Sequence, residues 1–178
     1  LFALIFCCAD PAHGQIQQIQ EELQRLPLFK DSISLVNSLN RLGTLYRTRN
    51  ADSCFYYGMK AKRTATNIQY RKGQTDADHV IAFALFKKGL YAESLELLGN
   101  LLAQYQQLDD TEKIIQVYLD MAEVENKGIS DRAKITSLLH KAIQTGRKLK
   151  KDSIMSDVYL TYLNRGPALS EDSITYYL

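Results

Sequence analysis

Asp76, Asp78 and His79 form the tightest grouping of metal-ligating side chains in the sequence. A bound cation needs several such donors converging on one point, at ligand spacings this run does not have. The three residues fall instead at the expected start of a helix, where acids offset the helix dipole. They predict a helix end, with no metal and no cofactor. His13 and His140 stand far apart and pair with nothing legible. Of the three cysteines, Cys7 and Cys8 lie in an apolar opening run, which leaves Cys54 single. A single cysteine makes neither an intramolecular disulfide nor a zinc site, and its neighbours predict a small buried residue on a helix. No phosphate-binding glycine loop, His-Glu-x-x-His, Cys-x-x-Cys or Gly-x-Ser-x-Gly occurs. No catalytic chemistry is expected of this chain. Lys60, Lys62, Arg63, Arg71 and Lys72 form one basic cluster, and Arg147, Lys148, Lys150 and Lys151 another. Both are expected near helix C-termini, where cations are favoured. A net charge of +2 gives no bulk reason to expect a nucleic-acid partner.

The elements that carry these residues read as helices throughout. The 178 residues are 46 % hydrophobic and 24 % charged, with three prolines and no tryptophan. That is globular usage leaning toward helix, and long enough to bury a core without staples. Leu1 to Ala9 is too short to span a bilayer. Followed by Asp10-Pro11 and the small residues Ala12 and Gly14, it has the form of a signal-peptide core with cleavage before Gln15. The sequence opens without a basic segment or a methionine, so residues 1–14 are expected to be a signal remnant of a longer chain. Gln15 to Leu26 places Ile16, Ile19, Leu23 and Leu26 on one helical face and stops at Pro27, which suits a capping helix over 15–29.

Beyond that cap the chain repeats itself. Lys30-Asp31-Ser32-Ile33 returns as Lys151-Asp152-Ser153-Ile154, 121 residues on. Asp52-Ser53-x-x-Tyr56-Tyr57 returns as Asp172-Ser173-x-x-Tyr176-Tyr177, 120 residues on. Gly43, Ala82, Ala122 and Thr161 mark smaller steps of 39, 40 and 39. A period near forty accommodates one helix hairpin per unit. The array is expected over 30–178, with units at about 31–70, 74–108, 109–150 and 152–178, the last truncated. Asp31 predicts a helix N-cap, Gly73 a break, and Asp109-Asp110-Thr111-Glu112 an acidic first turn. Gly43, Cys54, Ala61, Ala82 and Ala122 are expected at buried helix crossings, where larger side chains would overpack the contact.

Leu42-Gly43-x-x-Tyr46, with Cys54 and Ala61 seven apart, resembles the tetratricopeptide pattern. Gly89-x-Tyr91-x-x-Ser94 is similar to that family's inter-helix turn, with Ser94 in the alanine place. The resemblance implies an all-α, right-handed solenoid of antiparallel hairpins, although the family's usual unit is about 34 residues. It also implies a concave groove lined by the first helix of each unit. Carried onto this chain, the groove positions are Asn40, Thr44 and Arg47, then His79, Phe83 and Phe86. Leu119, Glu123 and Asn126 follow in unit three, and Tyr162 and Arg165 in unit four. Such a groove suits a protein or peptide partner, held as an extended or helical segment. The longer units behind a signal resemble the extracytoplasmic sensor halves of bacterial tetratricopeptide sensor kinases and regulators. This implies a periplasmic interaction module in a larger signalling protein, with membrane contact only through segments outside this stretch. A cytosolic peptide-binding regulator or assembly chaperone is the alternative. Ile174, Tyr177 and Leu178 lie in an unfinished helix, so self-association through the C-terminal end is expected.

Overall fold

In the computed structural model, the described residues are 11–128, 131–147, 149, 155–156 and 158–161. They are helical, with no strand among them. Helix α1 covers Pro11–Arg25 and closes in a single 3-10 turn at Leu26–Leu28, where Pro27 ends it. Then follow α2 (Ser32–Tyr46), α3 (Ala51–Asn67), α4 (Arg71–Lys87), α5 (Tyr91–Gln107), α6 (Thr111–Lys127) and α7 (Arg132–Gly146). Each helix packs on the next. The first helices of successive hairpins also touch, α2 on α4 and α4 on α6. This is the hairpin stack expected from the repeat.

The period is sharper in the structure than in the sequence. Helices α3 to α6 each run 17 residues, and their starts at Ala51, Arg71, Tyr91 and Thr111 are evenly spaced. Three helix ends share one device: Gln69, Gly89 and Asp109 all have positive φ, at 55°, 81° and 53°. In each case the following amide closes onto a carbonyl five residues back, Tyr70 on Ala65, Leu90 on Leu85 and Asp110 on Tyr105. This is the Schellman closure, which satisfies carbonyls the helix leaves open. At the other ends, Asp31, Asn50, Asp110 and Asp131 cap α2, α3, α6 and α7 by accepting from an amide three residues on.

Gly73 departs from expectation. It lies inside α4 and breaks nothing, because the turn is made by Gln69. A Cβ at Gly73 would come within 2.6 Å of Val36 Cγ1 and 2.4 Å of Tyr70 Cδ1. The glycine permits close approach of α4 to α2. Consequently Arg71 and Lys72 open α4 and do not close a helix. Lys72 is held by carboxylates, Asp110 at 2.7 Å and Asp76 at 3.6 Å.

The core runs the length of the stack. Gly43, Cys54, Ala61, Ala82 and Ala122 are all buried. Leu98, Leu101, Tyr105 and Val117 fill the contact of α5 with α4 and α6, while Ile115, Leu139, Ala142 and Val158 fill that of α6 with α7. Burial pushes the Cys54 thiol up to about 11, so it is an inert packing residue. Helix α1 docks on α2 through Ile19 and a buried polar contact, Ser38 Oγ donating to Glu22 Oε2 at 2.6 Å. Ile16 and Leu23 of the expected apolar face stay 41 % and 36 % exposed. The basic run beyond Arg147 and the chain from 162 onward lie outside the described residues, including the C-terminal end expected to self-associate.

Candidate functional site

Helices α2, α4 and α6 enclose a polar pocket of about 180 Å³. It is lined by Asn40, Arg41, Thr44 and Arg47 from α2 and its C-cap, Asp76, His79 and Val80 from α4, and Lys113 from α6. Three successive units therefore contribute to one site.

Its foundation is Asp120, buried on α6. Arg47 Nη2 donates to Asp120 Oδ2 at 2.6 Å, joining unit one to unit three across 73 residues of chain. His79 Nε2 meets the same oxygen at 2.7 Å, and Gln116 Nε2 donates to Oδ1 at 3.2 Å. The Arg47 guanidinium also stacks 3.7 Å above the Phe83 ring. This contact spends the flat face of the cation on an apolar floor. On the far side of His79, Tyr105 Oη donates to Asp76 Oδ1 at 2.9 Å and lies 3.4 Å from His79 Nδ1.

The charges follow from this geometry. Burial alone would raise the Asp120 carboxyl, but Arg47 and the His79 hydrogen bond overcome it and hold Asp120 well below the usual carboxylate range. An ionised Asp120 requires Nε2 of His79 to be the donor. Burial lowers the His79 value, outweighing the attraction of Asp120, so the imidazole is neutral. The clasp is thus one Arg⁺–Asp⁻ pair with a neutral histidine hydrogen-bonded to it.

Both shifts are downward, so each contributes stability at high pH that is lost as pH falls. For His79 the loss begins near the unfolded value of 6.5, because the unfolded chain takes up a proton that the buried ring resists. For Asp120 it begins near the unfolded value of 3.8. Urea midpoints should therefore decline from pH 7 to pH 5. His79→Gln should flatten that part of the profile relative to wild type. A wild-type midpoint that does not fall over this range would show that the ring is charged in the native state.

Asn40, Thr44, Arg47 and His79, expected on the groove, all border the pocket. Phe83 lies beneath Arg47 and edge-to-face with Phe86, ring centroids 5.5 Å apart. Phe83, Phe86 and Leu119 are 6 %, 5 % and 9 % exposed and belong to the core clusters. Glu123 and Asn126 are half-buried further along α6, outside the pocket. Tyr162 and Arg165 lie outside the described residues. Among the described residues no group of three or more His, Cys, Asp or Glu could hold a metal ion. Asp78 is ion-paired with Lys62 at 2.7 Å instead. Sequence reasoning missed Arg41, Asp76, Val80 and Lys113 as pocket residues, and Asp120 as the partner of Arg47 and His79. For Asp120 one signal existed: an acid three residues after Val117 and four before Val124, on the apolar side of its helix.

A stack of helix hairpins whose first helices share a polar face defines a tetratricopeptide-like repeat scaffold. The chain belongs to the SusR N-terminal TPR domain family, whose model matches residues 12–156. The crystal structure of a Rap protein complexed with competence and sporulation factor superposes on it with a TM-score of 0.74 at 14 % identity. That match covers 85 % of this chain and 44 % of the Rap chain, so this chain spans under half the length of the Rap protein. At such identity the likeness is one of fold. No curated protein sequence matches this chain. Tetratricopeptide repeats form non-catalytic scaffolds, commonly protein-binding.

Proposed function

We propose that this chain is the extracytoplasmic sensory or interaction module of a larger bacterial signalling protein, binding a protein or peptide in the groove of α2, α4 and α6. The observation that carries this reading is the pocket across three units, with Arg47 fixed at its rim by Asp120 and Phe83. A side chain held before a partner arrives loses little freedom on binding. The Rap protein's complex with a factor supports the same use of a helix stack. The groove positions proposed are Asn40, Thr44, Arg47, His79, Phe83, Phe86, Leu119, Glu123, Asn126, Tyr162 and Arg165. The proposed boundaries are a signal remnant over 1–14 and a cap over 15–29, followed by the repeat array. No described helix is long and apolar enough to cross a membrane.

Site-specific photocross-linking in cells tests the binding face. A photoreactive residue at Thr44, exposed on the groove side, should capture a discrete protein or peptide adduct. The same residue at Tyr56, 57 % exposed on α3, should not. Equal capture from both positions, or capture from Tyr56 alone, would refute the groove. An alkaline phosphatase fusion after residue 161 of the natural gene product should be active, and an inactive fusion would favour the cytosolic alternative.

A further inference from the structure

A second cavity, of about 360 Å³, lies where α5 begins and α6 ends, and it shares no lining residue with the groove pocket. Leu90, Tyr91, Ala92 and Leu95 line it from the start of α5, and Val124 and Gly128 from the end of α6. Glu93 is the one charged residue of the lining. It is exposed and makes no ion pair among the described residues.

The repeat supplies a comparison within the molecule. Helix α3 starts at Ala51 and α5 at Tyr91, while α4 has its C-cap at Lys88 and α6 at Gly128. Both offsets are forty residues, so the corresponding place one unit earlier lies between the start of α3 and the end of α4. There Lys88 reaches across. Its Nζ pairs with Asp52, in the first turn of α3, and stands 5.9 Å from the centre of the Phe55 ring. In the later unit Gly128 takes the place of Lys88, and Ala92 that of Asp52. Glycine has no side chain to reach across, and the space stays open.

The partners of a cation are nonetheless kept. In repeat register the acid moves one residue on, to Glu93, and the ring moves one turn back, to Tyr91. A carboxylate and an aromatic face beside an apolar wall suit an ammonium carried on a hydrophobic body. The end of α6 favours a cation, and the start of α5 opposes it. The same two kinds of helix end flank Lys88, and a cation is held there. An anion would meet Glu93 as a like charge.

Size narrows the class further. A volume of about 360 Å³ corresponds to roughly twelve waters at ~30 Å³ each, and is more than twice the ~150 Å³ of a cavity that takes up benzene. A lysine side chain alone would leave most of it unfilled.

We propose that this cavity binds a small amphipathic amine, its ammonium between Glu93 and the Tyr91 ring and its apolar body against Leu90, Leu95 and Val124. The site is separate from the groove and needs no partner bound there.

Calorimetric titration of the full chain at pH 7 tests this, with 2-phenylethylamine as the probe. The comparison compounds are 2-phenylethanol (no charge), 3-phenylpropionate (opposite charge) and butylamine (the reach of a lysine side chain). The probe should bind saturably, and the other three at least roughly tenfold more weakly, a difference of about 1.4 kcal/mol. Glu93→Gln, a change at an exposed position, should weaken the probe by a similar factor and leave the melting temperature unmoved. Gly128→Lys rebuilds the arrangement of Lys88 and should abolish binding. A Cβ there stands 3.3 Å from Tyr91 Cβ, so Glu93→Gln decides the matter if that variant folds poorly. Binding of 2-phenylethanol or 3-phenylpropionate equal to the probe, an unchanged Glu93→Gln, a folded Gly128→Lys that still binds, or no saturable binding would each overturn the inference. Butylamine equal to the probe would overturn it as well, and would make the cavity a receptor for the lysine side chain of a protein partner.

Discussion

Asp120→Ala should lower unfolding stability by about 3–5 kcal/mol, the usual cost of removing one partner of a buried ion pair. The loss is large because the carboxylate serves several groups at once. Arg47, whose side chain is 17 % exposed, would keep its charge against Phe83 without a counterion. His79, 4 % exposed, would lose the acceptor for its Nε2–H. Domains of ordinary stability have roughly 5–15 kcal/mol to lose, so this variant should melt near ambient temperature or express poorly. Asp120→Asn preserves the shape and one acceptor, and should cost less. Urea unfolding at pH 7 checks both. A loss below about 1 kcal/mol for Asp120→Ala would place the pair among weakly contributing surface bridges.

Gly43→Leu is the second substitution with a large expected effect. A Cβ on Gly43 would stand 2.5 Å from Val80 Cγ1 and 3.5 Å from the Cys54 carbonyl oxygen. Neither neighbour yields easily, one being a stiff β-branched side chain and the other backbone. Overpacking of this kind costs about 1–3 kcal/mol, and the longer side chain takes this site to the top of that range. Gly99→Ala is the matched control. Nothing lies within 4 Å of the Cβ it would add, so it should gain about 0.5–1 kcal/mol from helix propensity alone. Thermal melts with both variants shifting in the same direction would mean that the α2–α4 crossing has been misplaced.

These two residues also show where the sequence was informative. Gly43 was legible because it recurs: small residues at steps near forty mark helix crossings, and steric exclusion needs no knowledge of the partner. The cap at Asp31 was legible for a similar reason, since a cap is satisfied by an amide three residues away; Asp110, expected within an acidic first turn, proved to be the cap itself. Gly73 was misread because glycine means two things. A turn and a close approach look alike until the turn is found at Gln69, a residue whose positive φ no local signal announced. Asp120 escaped because its meaning lies 73 residues away in Arg47 and 41 residues away in His79. Side-chain pairing across units leaves no periodic trace. Phe83 and Phe86 were expected on the groove, and their burial was decided by α5, which brings Leu98 and Leu101 against α4.

The central claim is that one connected surface, spanning units one to three, presents the pocket. A double-mutant cycle on Arg47 and Asp120 tests it most directly, using Arg47→Met, Asp120→Leu and the double variant in urea unfolding at pH 7. Methionine retains an unbranched apolar side chain, and loss of the guanidinium's contact with Phe83 is common to both arms and cancels, so the cycle isolates the charge contact. The two single variants should each be destabilised, and the double variant less so than their sum. The coupling energy should be about 1.5–3 kcal/mol, toward the top of the range for residues in direct contact. Additivity within about 0.5 kcal/mol is the behaviour of independent sites. That result would mean the groove walls of units one and three are not joined, and that the pocket is not held open in advance of its ligand.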